Sequence, residues 1–152
     1  MAMPKSVTKI TKDGIEFTNN VDRVQYTIEE LSRAALRDSA KLVRKRLMQK
    51  LKDLPGMRRN RRVYRSAQYW VRRRETDLII GFKHDAWYGS RSELGTHGSP
   101  ARGFLRESVY ENIDQIREIQ GKYLSAIEDE RRAMAAINES GEEYTSGEGP
   151  EE

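Results

Sequence analysis

Eight arginines fall within the seventeen positions from 58 to 74: Arg58, Arg59, Arg61, Arg62 and Arg65, then Arg72, Arg73 and Arg74. A guanidinium is a rigid planar fork that meets phosphate or carboxylate through paired bonds, so arginine in place of lysine points to anion contacts of defined geometry. Three roles stay open for this cluster: docking on an acidic protein surface, contact with DNA, or a solvated loop. The aromatic platform of RNA-binding modules is not evident beside it. Other chemistry is sparse. The only histidines are His84 and His97, and with Asp85 and Glu93 they lack the helical ligand spacing of a metal site. No glycine-rich phosphate loop and no Gly-x-Ser-x-Gly elbow is present. Glu107, Glu111, Asp114 and Glu118 recur at helical spacing, the pattern of a solvated polar face. The expectation is a protein with no catalytic residues, no metal and no cofactor.

The charge balance narrows the partners. The chain has 152 residues, 34% of them charged, with a formal net charge of +4. Residues 138–152 hold six glutamates and no Lys or Arg; without them 28 basic residues face 18 acidic ones, a body of about +10. A basic body suggests an anionic partner, whether nucleic acid or the acidic face of a protein. Cysteine is absent, which removes disulfides, thiolate chemistry and Cys-based zinc sites and suits a reducing cytosol. No apolar run approaches the roughly 18 residues of a membrane span, and no apolar stretch follows Lys5, so neither a membrane segment nor a signal peptide is expected.

The elements that would hold these groups follow from periodicity. Val7 to Thr18 alternates polar and apolar residues around Asp13-Gly14, the pattern of a hairpin with a two-residue turn. From Asp22 to Asp53, Val24, Ile28, Leu31, Ala35, Leu42, Val43, Leu47 and Leu51 form one apolar stripe of a long helix. Leu54-Pro55-Gly56 stops it, and Met57 to Arg62 is a basic loop. Ala67–Arg74 and Asp77–Lys83 read as an antiparallel pair joined at Glu75-Thr76. Alternation would set Arg72 and Arg74 on one face and Arg73 on the other. Residues 86–96 are ambiguous between strand and short helix. Ser99-Pro100-Ala101 predicts a second helix, serine capping it and proline at its first position. Its stripe is Leu105, Val109, Ile113, Ile116, Tyr123 and Ile127, with Ile119 and Leu124 at the edge, and it is expected to reach about Ile137. The predicted organisation is one α+β domain over 1–137, a small antiparallel sheet with two long helices, and a flexible acidic tail over 138–152.

The most informative stretch runs from Glu93 to Leu105. Gly95 and Gly98 allow a sharp loop, Ser99 and Pro100 set the angle of the helix that follows, and Phe104 and Leu105 would pin its first turn onto the sheet. Arg102 is placed to return to Glu93 as an ion pair. An ordinary strand-to-helix connection accounts for the same residues. The motif nevertheless resembles that of the tail-completion, or head–tail joining, proteins of long-tailed bacteriophages. These carry an aromatic-rich segment, then Glu-x-Gly-Thr, then Pro-Ala-Arg-Pro-Phe-Leu. Here Trp87-Tyr88 precedes Glu93-Leu94-Gly95-Thr96, and Pro100-Ala101-Arg102-Gly103-Phe104-Leu105 follows. The element order over about 24–127 is similar as well. Two departures stand out: Gly103 occupies the place of the second proline, and the family's Pro-x-x-Thr-Gly segment is reduced to Pro55-Gly56 followed by arginines.

The resemblance implies a structural virion protein at the neck or tail top, assembled in the host cytoplasm. It would form a homo-oligomeric ring, typically of six copies, between the head connector or stopper and the tail-tube or tail-terminator proteins. Packaged DNA is a further candidate contact, and no membrane is implied. The alternative reading is a basic nucleic-acid-binding protein acting through the Arg58–Arg74 segment.

Overall fold

The computed structural model describes residues 3–10, 14, 16–52, 63–72 and 75–142. The fold is α+β, with five helices and two separate two-stranded antiparallel sheets among the described residues. In chain order the elements are β1 (Val7–Ile10), β2 (Glu16–Asn19), α1 (Val21–Lys52), β3 (Ala67–Arg72), β4 (Asp77–Phe82), α2 (Trp87–Leu94), α3 (Phe104–Tyr110), α4 (Ile113–Ser125) and α5 (Glu130–Glu142). Single 3-10 turns at Val63–Ser66 and Ala126–Glu128 lead into β3 and out of α4.

The spine is α1, 32 residues long and so about 48 Å at 1.5 Å per residue. The Asn19 side chain accepts the Val21 N–H at 3.0 Å and secures its first turn. Asp22 in that turn and Lys50 and Lys52 in the last complement the helix dipole. Two cores lie along the spine. Leu31, Ala34 and Ala35 pack with Tyr123, Ala126 and Ala133, which brings α4 and α5 onto the first half. Leu47 and Leu51 pack with Val63 and Ala67, flanked by Phe82, Tyr88, Phe104 and Leu105, which brings the β3–β4 sheet, α2 and α3 onto the second half.

The expected second helix is divided into three. Asn112 ends α3: it is buried, and its side-chain amide donates to the Ser108 carbonyl at 2.9 Å, taking an acceptor the backbone would otherwise use. Asp129 ends the next segment by leaving helical geometry and accepting the Arg131 N–H at 2.9 Å, a cap for α5. The final helix continues to Glu142, five residues past the expected limit, with Ser140 buried. Residues 143–152 of the acidic tail lie outside the described residues.

The start of the helical half is also corrected. Ser99 and Pro100 do not open a helix: the first helical residue is Phe104, and Ser99 instead pairs with Thr96 through reciprocal backbone bonds of 2.9 Å. The first hairpin is present, with Val7 opposite Asn19 and Ile10 opposite Glu16. The expected Asp13-Gly14 turn falls on positions 11–15, of which only Gly14 is described.

Candidate docking surfaces

The long stripe on α1 is covered unevenly. Leu31, Val43, Leu47 and Leu51 are buried, but Val24 and Ile28, expected on the same stripe, are exposed together with Val21. The β1–β2 hairpin beside them offers no cover, since all eight of its strand residues are exposed. Ile10 is 75% exposed and Phe17 61%. Phe17, Val21, Val24 and Ile28 line an open groove of about 540 Å³ between the hairpin and the first turns of α1. A second groove, about 310 Å³, lies further along the helix. It is lined by Leu31, Ala35, Tyr123, Leu124 and Ile127. Leu124, expected at the edge of a buried stripe, is 64% exposed.

The Glu93–Leu105 stretch is built around a carboxylate and two glycines. Glu93 accepts the backbone N–H groups of Leu105 at 2.9 Å and Arg106 at 3.1 Å, so it caps α3 from the end of α2. This replaces the expected Arg102–Glu93 ion pair: Arg102 is exposed, and its backbone N–H donates to the Ser92 carbonyl at 3.0 Å. Gly95 has φ 77°, and a Cβ there would lie 2.7 Å from the Ala101 nitrogen, so both its conformation and the closeness of the returning chain require glycine. Gly103 precedes α3 at φ 63°. Proline, fixed near −65°, cannot take that conformation. Phe104 and Leu105 pack against the Leu47 core. Thr96 accepts from the Arg91 guanidinium at 3.2 Å, and Arg91 also lies 5.9 Å over the Trp87 ring. Trp87, Arg91 and Leu94, at i, i+4 and i+7, thus share an outer face of α2 on which Trp87 is 65% and Leu94 75% exposed.

The arginines divide by surroundings. Arg58, Arg59, Arg61, Arg62, Arg73 and Arg74 lie outside the described residues. Arg72 is opposite Asp77 in the sheet, donates to its carboxylate at 2.7 Å and meets Glu75 at 2.5 Å. Its bond holds the Asp77 carboxyl below its ordinary value of 3.8. Arg72 is therefore neutralised within its own hairpin. Arg65 and Lys52 instead converge on the Tyr64 ring, each 5.8 Å from its centroid, and Arg65 donates to the Tyr64 hydroxyl at 3.2 Å. Glu107 and Glu111 are not merely solvated: Lys50 reaches them at 3.1 and 2.8 Å and ties α1 to α3. The bond to Glu111 raises the Lys50 ammonium above its ordinary 10.5.

Inside the first core the Tyr123 hydroxyl donates to Asp38. Burial first, and that bond second, push the phenol well above its usual value. His84 and His97 are exposed, and no group of three His, Cys, Asp or Glu side chains among the described residues is arranged to hold a metal ion. No helix among them is long and apolar enough to cross a membrane.

Sequence periodicity did not single out the bare start of α1, the outer face of α2 or the Leu124–Ile127 rim as surfaces. Trp87, Arg91 and Leu94 at helical spacing were the one available signal. The chain matches none of the family models, curated proteins or solved structures with which it was compared.

Proposed function

We propose that this protein is a structural assembly subunit, a head–tail joining or tail-completion protein of a long-tailed phage. In this role it forms a ring, typically of six copies, between the head connector and the tail. It works by docking and carries out no reaction. One observation carries the assembly part of this reading: Phe17, Val21, Val24 and Ile28 stand exposed around one groove at the start of α1, outside the two cores. A contiguous bare apolar surface of this kind marks a place where another protein sits. The Glu93–Leu105 resemblance supplies the virion setting. Its residues build the loop that follows α2, the helix carrying the Trp87–Arg91–Leu94 face, and tryptophan and arginine are enriched at the centre of protein interfaces.

Negative-stain imaging of the purified protein, alone and mixed with separate tails and filled heads, tests this. Rings, and joined particles where heads and tails alone stay apart, are expected. A protein that neither oligomerises nor promotes joining overturns it.

Nucleic-acid binding is retained as a second reading because Lys52 and Arg65 meet at Tyr64 without an acidic partner among the described residues. Phosphate contacts release counterions, so DNA affinity that falls steeply between low and physiological salt favours this reading, and a shallow slope removes it.

A further inference from the structure

The β1–β2 hairpin is the least supported element of the fold. Its strands are four residues each, every strand residue is exposed, and its extensive packing is strand on strand only. Two-stranded hairpins are marginal in water unless a further strand or a helix covers them, and no described strand pairs with either outer edge here. The register places Lys9 directly opposite Phe17 and Val7 opposite Asn19, so Val7, Lys9, Phe17 and Asn19 share one face. That face is an exposed aromatic beside a lysine. Asn20 alone separates the hairpin from α1, and the Asn19–Val21 bond fixes how the arm leaves the helix.

The groove bounded by Leu124 and Ile127 has the opposite character. Its floor is the buried Leu31, Ala35 and Tyr123, its rim carries Leu124 and Ile127 with Ser32, Thr76 and Gln120 among them, and Glu128 follows Ile127 directly in the chain. Its volume of about 310 Å³ exceeds the roughly 150 Å³ of a cavity that holds benzene, so one phenylalanine ring fits. Neither Lys9 nor Glu128 has an ion pair among the described residues. An aromatic plug beside a lysine and a largely apolar socket next to a glutamate, both charges without an ion pair among the described residues, are thus present on the same chain.

We propose that a second copy of this chain holds the β1–β2 hairpin, with Phe17 in the Leu124–Ile127 groove and Lys9 against Glu128. Plug and socket are different patches, so the contact is heterologous, and repetition with closure generates a ring. The proposal rests on the assembly reading above and specifies how one copy meets the next.

The absence of cysteine allows a direct test. Val7→Cys marks the arm and Gln120→Cys marks the groove, leaving Phe17, Lys9, Leu124 and Glu128 in place. The two variants, mixed and treated with a short bis-maleimide, are expected to give a mixed covalent dimer that neither gives alone. Adding Phe17→Ala to the arm variant should cut its yield about tenfold or more, the effect of losing one buried aromatic. Lys9→Glu should also reduce the yield, and Glu128→Lys on the partner should restore it. Equal dimer from Val7→Cys alone would mean hairpin-to-hairpin pairing and overturn the proposal. Oligomers by sizing without the mixed adduct overturn the arm contact and leave the assembly reading standing. The mixed adduct in a protein that stays dimeric supports the arm and counts against the ring. A monomer with no adduct overturns both.

Discussion

The two hairpins of this protein have similar strands and opposite surroundings. The β3–β4 sheet lies on α1: Ala67 is buried, Phe82 packs on the Leu47 core, and the Arg44 guanidinium donates to the Ala67 carbonyl at 2.8 Å. The β1–β2 sheet, with Val7, Ile10 and Phe17 on its strands, is bare. Strand propensity therefore does not separate them. What separates them is position along the spine: β3 returns over the second half of α1, whereas β2 leads directly into the first turn with Asn20 as the only link. One hairpin belongs to the core of the protein, and the other stands outside it.

That contrast can be broken at several points. The largest effect is expected from Leu47→Ala, which opens a cavity beneath β3–β4 and should cost about 2–5 kcal/mol. Phe17→Ala should change the unfolding free energy of the monomeric protein by less than about 0.5 kcal/mol, as for a surface side chain. Denaturant titration of both variants checks this, and a comparable loss from Phe17→Ala would mean that the first hairpin is already packed. Gly95→Val comes next, at about 1–3 kcal/mol, because it places a Cβ in left-handed backbone against Ala101. Thermal melting reads it, and an unchanged midpoint would show that the α2–α3 loop does not support the core beside β4.

The smallest effect concerns the Arg72–Asp77 pair at the tip of the packed hairpin. Arg72 depresses the Asp77 carboxyl in the folded state, so the pair adds stability above the unfolded value of 3.8 and loses it as pH falls through the lower folded value. Asp77→Asn should lower the melting temperature slightly at neutral pH, and the difference from the parent should vanish in acid below the folded value. A difference that persists there would assign the effect to something other than this carboxylate.

The sequence by itself determined the α+β class, the long first helix, both antiparallel hairpins and the α2–α3 loop with its glycines. Each depends on local physics: the 3.6-residue stripe from Leu31 to Leu51, alternation in the strands, and the φ that Gly95 requires. It also indicated a helical second half, without its limits. It did not divide that half, because Asn112 and Asp129 break a helix only when their side chains win the competition for backbone groups, and burial of Asn112 decides one of those contests. Glu93 shows the same limit. Its partners are the amides of Leu105 and Arg106, twelve and thirteen residues away, and no pattern of spacing distinguishes that cap from an ion pair with Arg102. Tertiary structure also decided where the α1 stripe stops being core. Val24 and Ile28 continue the periodicity of Leu31, but periodicity defines a face and not its cover. Only the placement of α4 and α5 leaves those two side chains bare.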